Sequence, residues 1–271
     1  MTDNIKKSRV LVNILGIPML IACILLGNNQ VSYFPAFSIL VYSIMLLSMI
    51  EWFNLSNLKT NSVKLVNFLS ITIICFNLHI NASLSLFLII IMLHMLFISI
   101  IYILKSSKKP LFSISSSLFG ILWIGIFIGS MIMIRNLDIG FKVTLMMFLS
   151  IWTCDTFAFF FGGRYGKRKL APKISPNKTW FGAVSGFFGS FIVPLFFYFW
   201  FPIIEFHIFD YLICGFIFGF FGQLGDLFES LLKREANIKD TSNILQGHGG
   251  ILDRFDSLSF ASPVLYLYIL T

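Results

Sequence analysis

The sequence predicts an all-α, polytopic membrane protein, and three observations carry that prediction. Hydrophobic residues make up 57% of the chain and charged ones only 12%, a balance that a water-soluble fold would have to hide and that lipid accepts. The apolar runs are continuous over roughly 17–25 residues, the length of a membrane-crossing helix, rather than alternating over about ten as barrel strands do. The cations, finally, gather between alternate runs.

Nine spans are expected, near residues 10–27, 33–53, 64–83, 84–104, 111–134, 140–161, 180–204, 208–232 and 255–271. The first contains Leu20-Ile21-Ala22-Cys23, which has the look of a lipoprotein cleavage box. Apolar residues continue past Cys23, so an uncleaved helix is expected. The stretch from 64 to 104 is too long for one crossing, and the polar segment around His79 is where it turns. Cys23, Cys75, Cys154 and Cys214 lie scattered in apolar runs without CxxC spacing and read as small hydrophobes rather than disulfide or thiolate-metal partners.

In this nine-span arrangement 18 of the 20 Lys and Arg residues fall on one side, Arg135 and Lys142 being the others. Cations mark the cytoplasmic face, so the N-terminus and the charged loops are placed there and the C-terminus outside. The formal net charge of +8 is thereby explained by topology. Nucleic acid is excluded as a partner, since there is no basic soluble domain to hold it. One integral-membrane domain, 1–271, is expected, with N-terminal helices over 1–134 and catalytic helices with cytoplasmic loops over 135–271.

Ionisable groups inside spans are costly, so each asks for a reason. Glu51, beside Trp52, reads either as an interfacial anchor or as part of a headgroup site. His94, on an apolar helix, reads as an interhelical hydrogen-bonding residue. Gly215, Gly219 and Gly222 form a stripe that continues through Asp226, Glu229 or Ser230, and Lys233, so one helical face turns from small to charged. Gly182, Gly186 and Gly189 repeat the spacing in the preceding span, and the two spans are expected to pack along these glycines.

The segment KREANIKDTSNILQGHGGILDRFD, 233–256, concentrates eight charged residues in a mostly apolar chain. Asp253 and Asp256 are three apart where the last span begins, so a helix places both on one face. With Asp226 they offer the hard oxygen donors that suit Mg²⁺, an ion that keeps waters and is completed by substrate phosphates. Ion pairing with Arg254 or Lys233 is the alternative. His248-Gly249-Gly250 reads as a flexible turn that lets backbone N–H groups approach phosphate. The loop GGRYGKRKLAPKISPNKTW is strongly basic and ends in an expected Ser-Pro turn. It reads as a topological anchor or an attractor of anionic headgroups. Cytosolic cations, membrane-edge carboxylates and flexible glycines together fit an enzyme joining a nucleoside triphosphate to a phosphorylated lipid.

Ser230, Lys233-Arg234, Lys239-Asp240, His248-Gly249-Gly250 and Asp253-Arg254-Phe255-Asp256 together resemble the signature of the phosphatidate cytidylyltransferases, or CDP-diacylglycerol synthases. Asp155, Ala158 and the run from Gly163 through GKRKLAPKISPNKTW to Gly182 resemble that family's second block, and Glu51-Trp52 a weaker third. The likeness is sharp over about 150–263. It departs at Gln246, where the family usually has proline or glycine, and at Phe159, where tyrosine is common.

The resemblance implies transfer of CMP from CTP to phosphatidate, giving CDP-diacylglycerol and pyrophosphate, with Mg²⁺, alone or with a second cation. It implies Asp226 and Asp253 as the main metal ligands with Asp256 supporting, and Asp240 as a weaker candidate. Lys233, Arg234 and Arg254 would hold phosphates, with Lys239 and Ser230 beside them. Ser175, Lys178 and Thr179 would border the substrate entrance, and His248, Gly249 and Gly250 would shape the loop or bind phosphate. A bacterial inner membrane with a cytoplasmic active site is expected, membrane lipids as surroundings, and a homodimer on the family's example alone. A transferase for another lipid or polyprenyl phosphate, and a cation- or proton-coupled transporter, are the competing readings.

Overall fold

Helices make up most of the computed structural model, which describes residues 16, 18–26, 36–80, 84–105, 109–242, 244 and 249–271. They are α1 (Ala36–Leu55), α2 (Asn61–His79), α3 (Leu84–Lys105), α4 (Pro110–Gly120), α5 (Ser130–Arg135), α6 (Gly140–Tyr165), α7 (Trp180–Gly189), α8 (Ile192–Trp200), α9 (Ile208–Glu235) and α10 (Leu252–Ile269). A π-helical stretch, Ile121–Ile128, lies between α4 and α5. An antiparallel hairpin of β1 (Lys169–Ala171) and β2 (Ser175–Thr179) lies between α6 and α7.

Seven stretches among the described residues are long and apolar enough to cross a membrane: 36–55, 61–79, 85–105, 110–135, 140–165, 180–200 and 208–235. The all-α, membrane-crossing class is therefore as expected, with each of these near a predicted span. Of the expected first span, 10–27, residues 16 and 18–26 are described and are helical, and the rest lie outside the described residues. The expected ninth corresponds to α10, whose opening carries Asp253, Arg254 and Asp256. Asn81 to Ser83, at the expected turn, lie outside the described residues, while α2 does end at His79.

The residues form two units: Met1–Asn136 with Asp240–Asp253, and Leu137–Lys239 with Arg254–Thr271. In the first, α1 packs on α2, α2 on α3 and α3 on α4, and the π-helical stretch touches α1 and α2. Buried polar side chains tie these helices together. His94 of α3 takes Ser70 of α2 at 2.9 Å on Nδ1 and Ser117 of α4 at 3.1 Å on Nε2. This is the expected interhelical bridge, which spares each polar group an unpartnered place in apolar surroundings. Trp52 donates its indole N–H to the carbonyl of Ser116 at 2.9 Å. Its ring lies where a Cβ on Gly120 would sit, so only glycine lets α4 approach α1 there.

In the second unit α7 lies closely on α6, and α9 touches α6, α7 and α8. The glycine stripes do their work here, though not as the sequence suggested. Side chains on Gly182 and Gly186 would collide with the backbone of Ala158 and Cys154, and one on Gly189 with Phe157, all on α6. The stripe of α9 does meet the preceding span, but through Phe187, Ser190 and Phe191 against Gly215 and Gly219. Spacing identified both close-packing faces. It could not say that the α7 glycines face α6, because periodicity marks a face and not its neighbour. The Ser-Pro expectation also needs correcting: Ser175 and Pro176 open strand β2, and the turn is Pro172 to Ile174, closed by the Ile174 N–H on the Ala171 carbonyl at 3.1 Å.

Candidate active site

A cavity of about 660 Å³ opens in the second unit. Asp155, Ala158, Phe159 and Phe160 of α6 line one side, Leu170, Asn177, Lys178 and Thr179 of the hairpin another, and Gln223 and Asp226 of α9 a third. Its character is split. Lys178 and Asp226 pair across it at 2.5 Å, with 27% and 33% of their side chains exposed, while Phe159, on the same helix as Asp155, is 85% exposed. Such a cavity fits a molecule with an anionic head and an apolar body.

Local chemistry fixes the hairpin that presents Lys178. Thr179 caps α7, its hydroxyl accepting the Gly182 N–H at 3.1 Å, as an N-cap residue does. A Cβ on Gly166 would collide with that hydroxyl. Thr179 is thus buried and committed to the helix start, next to Lys178 that faces the cavity. Arg234 donates to the carbonyls of Ile174 and Ile238 at 3.0 and 3.2 Å, tying the hairpin turn to the end of α9. Ser175 is half-buried in β2, and Lys239 and Asp240 are exposed. Lys233 is nearly buried and pairs with Glu229 at 2.8 Å.

Carboxylates crowd this unit. Asp155, Asp226 and Asp256 interact electrostatically with one another, with Lys178, Arg254 and Lys233 as counter-charges. Ser230 approaches Asp226 at 3.5 Å, and α9 and α10 come so close that a Cβ on Gly225 would strike the Asp256 carbonyl. Among the described residues no three His, Cys, Asp or Glu side chains already form a metal cage. The carboxylates of Asp155, Asp226 and Asp256 are the hard oxygen donors of this unit that could hold Mg²⁺, an ion that keeps waters and takes oxygens from its substrate.

The other signature residues lie in the first unit. Asp253 Oδ2 accepts the N–H of Gly250 at 2.7 Å and the N–H and hydroxyl of Thr241 at 3.0 Å each. Gly249 has φ +79°, a conformation that L side chains rarely adopt, and a Cβ there would meet the Asp253 carboxylate. Both glycines are buried. The expected turn offers its N–H groups to phosphate, whereas in the structure the Gly250 N–H is given to Asp253. His248 and Gln246 lie outside the described residues. Sequence reasoning left the role of Glu51 open and missed Thr241 and Ser242. It also missed Asn177 and Gln223 in the cavity, whose short polar side chains carry no distinctive spacing.

Residues 7–271 match the Cytidylyltransferase family. A phosphatidate cytidylyltransferase of Staphylococcus haemolyticus is 34% identical over 266 residues, 97% of this chain and 99% of that protein. One of Bacillus subtilis is 45% identical over 153 residues, 55% of each. One of Staphylococcus aureus is 39% identical over 170 residues, and the matched stretch spans 64% of that protein's length.

Proposed function

From the premise that this chain belongs to the cytidylyltransferase family, we propose that it transfers CMP from CTP to phosphatidate, releasing pyrophosphate. The observation that carries this reading is the Lys178–Asp226 pair in a cavity also lined by Phe159 and Phe160. A partly exposed pair of this kind can exchange partners: Lys178 can turn to a lipid phosphate, and Asp226, so released, would be available to hold a divalent cation. The acyl chains leave along Phe159 and Phe160. A phosphate oxygen of phosphatidate attacks the α-phosphorus of CTP, a new P–O bond forms, and the bond to the β-phosphate breaks as pyrophosphate departs.

Both reactants are polyanions, so their repulsion must be offset before attack. Lys178, Arg254 and Lys233 supply positive charge from this chain. Asp226 and Asp256, with Asp155 beside them, would hold Mg²⁺, which when bound neutralises phosphate charge. Asp253 keeps the metal-ligand role that the resemblance implies for it. No general base is required, because the phosphate is already ionised near neutral pH. The cation distribution supports a site facing the cytoplasm of a bacterial membrane, and a homodimer is carried over from the family.

The test is the full chain in detergent with labelled CTP, phosphatidate and Mg²⁺. Lipid-linked CMP with stoichiometric pyrophosphate is expected, and chelation of Mg²⁺ should stop it. Turnover only with another lipid phosphate would transfer the reading to that lipid, and ion flux without nucleotide chemistry would overturn it.

A further inference from the structure

Glu51 lies near the end of α1, fully buried at 0% exposure, and its carboxylate is held by hydrogen bonds from residues 190–201 positions away. Oε1 accepts the Ser242 hydroxyl at 2.6 Å and the Ile251 N–H at 2.8 Å, and Oε2 accepts the Thr241 hydroxyl and the Leu252 N–H, both at 2.8 Å. A buried carboxylate survives only when so satisfied. Ile251 precedes and Leu252 opens α10, where helical N–H groups lack partners within their own helix and negative charge is favoured. Glu51 therefore caps a helix that begins 201 residues downstream.

The same network reaches Asp253. The Thr241 hydroxyl lies 2.8 Å from Glu51 Oε2 and 3.0 Å from Asp253 Oδ2. It carries one proton, so it serves one carboxylate at a time. The Thr241 N–H holds Asp253 throughout. A Cβ on Gly250 would strike both the Thr241 hydroxyl and the Glu51 carboxylate, which explains the second glycine of the motif without any phosphate.

We propose that Glu51 is a positioning residue for Asp253: it fixes the 241–252 segment and, through Thr241, the orientation of the Asp253 carboxylate. The inference rests on the reading of Asp253 as a functional carboxylate. It assigns to the N-terminal helices a direct part in setting up the reaction.

The test uses the full-length protein in lipid nanodiscs with Glu51→Gln, Asp253→Asn and the double variant. Glu51→Gln puts an NH₂ group against a backbone N–H. Amide hydrogen exchange at Ile251 and Leu252 should then quicken by roughly tenfold or more while α2 stays protected. Turnover should fall roughly 10–100-fold, the range for groups that orient a ligand, with KM for CTP changed less than about twofold. The double variant should be no slower than Asp253→Asn alone. Wild-type turnover in Glu51→Gln, or a double variant slower than Asp253→Asn by the full Glu51→Gln factor, would overturn the inference. Wild-type turnover in Asp253→Asn would instead sink the reading of Asp253, and the exchange rates would still report whether Glu51 anchors the segment. Should Glu51→Gln not fold, Thr241→Val removes the shared hydroxyl at constant shape and carries the same test.

Discussion

Asp226 and Glu51 are both acids on apolar helices, yet their surroundings give them opposite uses. Asp226 is a third exposed and is paired with one flexible lysine across a cavity. Glu51 is fully buried and held by four donors of its own chain, one of them shared with Asp253. An exposed pair is worth little to stability, about 0–1 kcal/mol, and parts readily. A buried, fully hydrogen-bonded carboxylate is costly to disturb. The contrast separates the acid that is available to a substrate from the acid that holds the frame.

Substitutions on either side test this contrast. The largest effect is expected at Asp226: Asp226→Asn should lower kcat/KM by roughly 10²–10³ while the thermal midpoint hardly moves, as loss of a preorganised charge does. A fall in stability with turnover intact would reverse its place in the comparison. Lys178→Met should follow, raising KM for phosphatidate about tenfold or more as the cost of one charge-assisted contact to phosphate, measured with mixed micelles of known lipid fraction. Gly250→Ala attacks the other side. Its methyl meets Thr241 and Glu51, and about 1–3 kcal/mol of destabilisation is expected from overpacking, read from denaturation in detergent. The smallest change is His94→Leu, which removes the bonds to Ser70 and Ser117. At about 0.6 kcal/mol for each interhelical bond, it should cost about 1 kcal/mol and leave turnover unchanged.

The helices were legible in the sequence because continuous apolar runs admit few other structures in lipid, and α1 to α9 fall where those runs lie. The glycine faces were legible too, but their partners were not: Gly182 and Gly186 meet Ala158 and Cys154 rather than α9. The Lys178–Asp226 pair joins two segments that each looked functional alone, and nothing local told that they meet. Glu51 carried the right cue, an acid within a span beside Trp52. Its donors lie at 241–252, beyond the reach of any periodicity, so only the folded chain could name them. The hairpin was missed for a plainer reason. Five strand residues reading Ser-Pro-Asn-Lys-Thr have no apolar alternation and a single β-branched residue to announce them.

Photo-crosslinking tests the central claim most directly, that the cavity beside Lys178 and Asp226 receives the lipid. A phosphatidate analogue with a photoreactive group near its phosphate, irradiated with the full-length protein in nanodiscs, should label residues of α6, the hairpin or α7 that line the cavity. Unlabelled phosphatidate should abolish that label. Labelling spread over the lipid-facing residues of α3, or label that phosphatidate does not displace, would contradict the account.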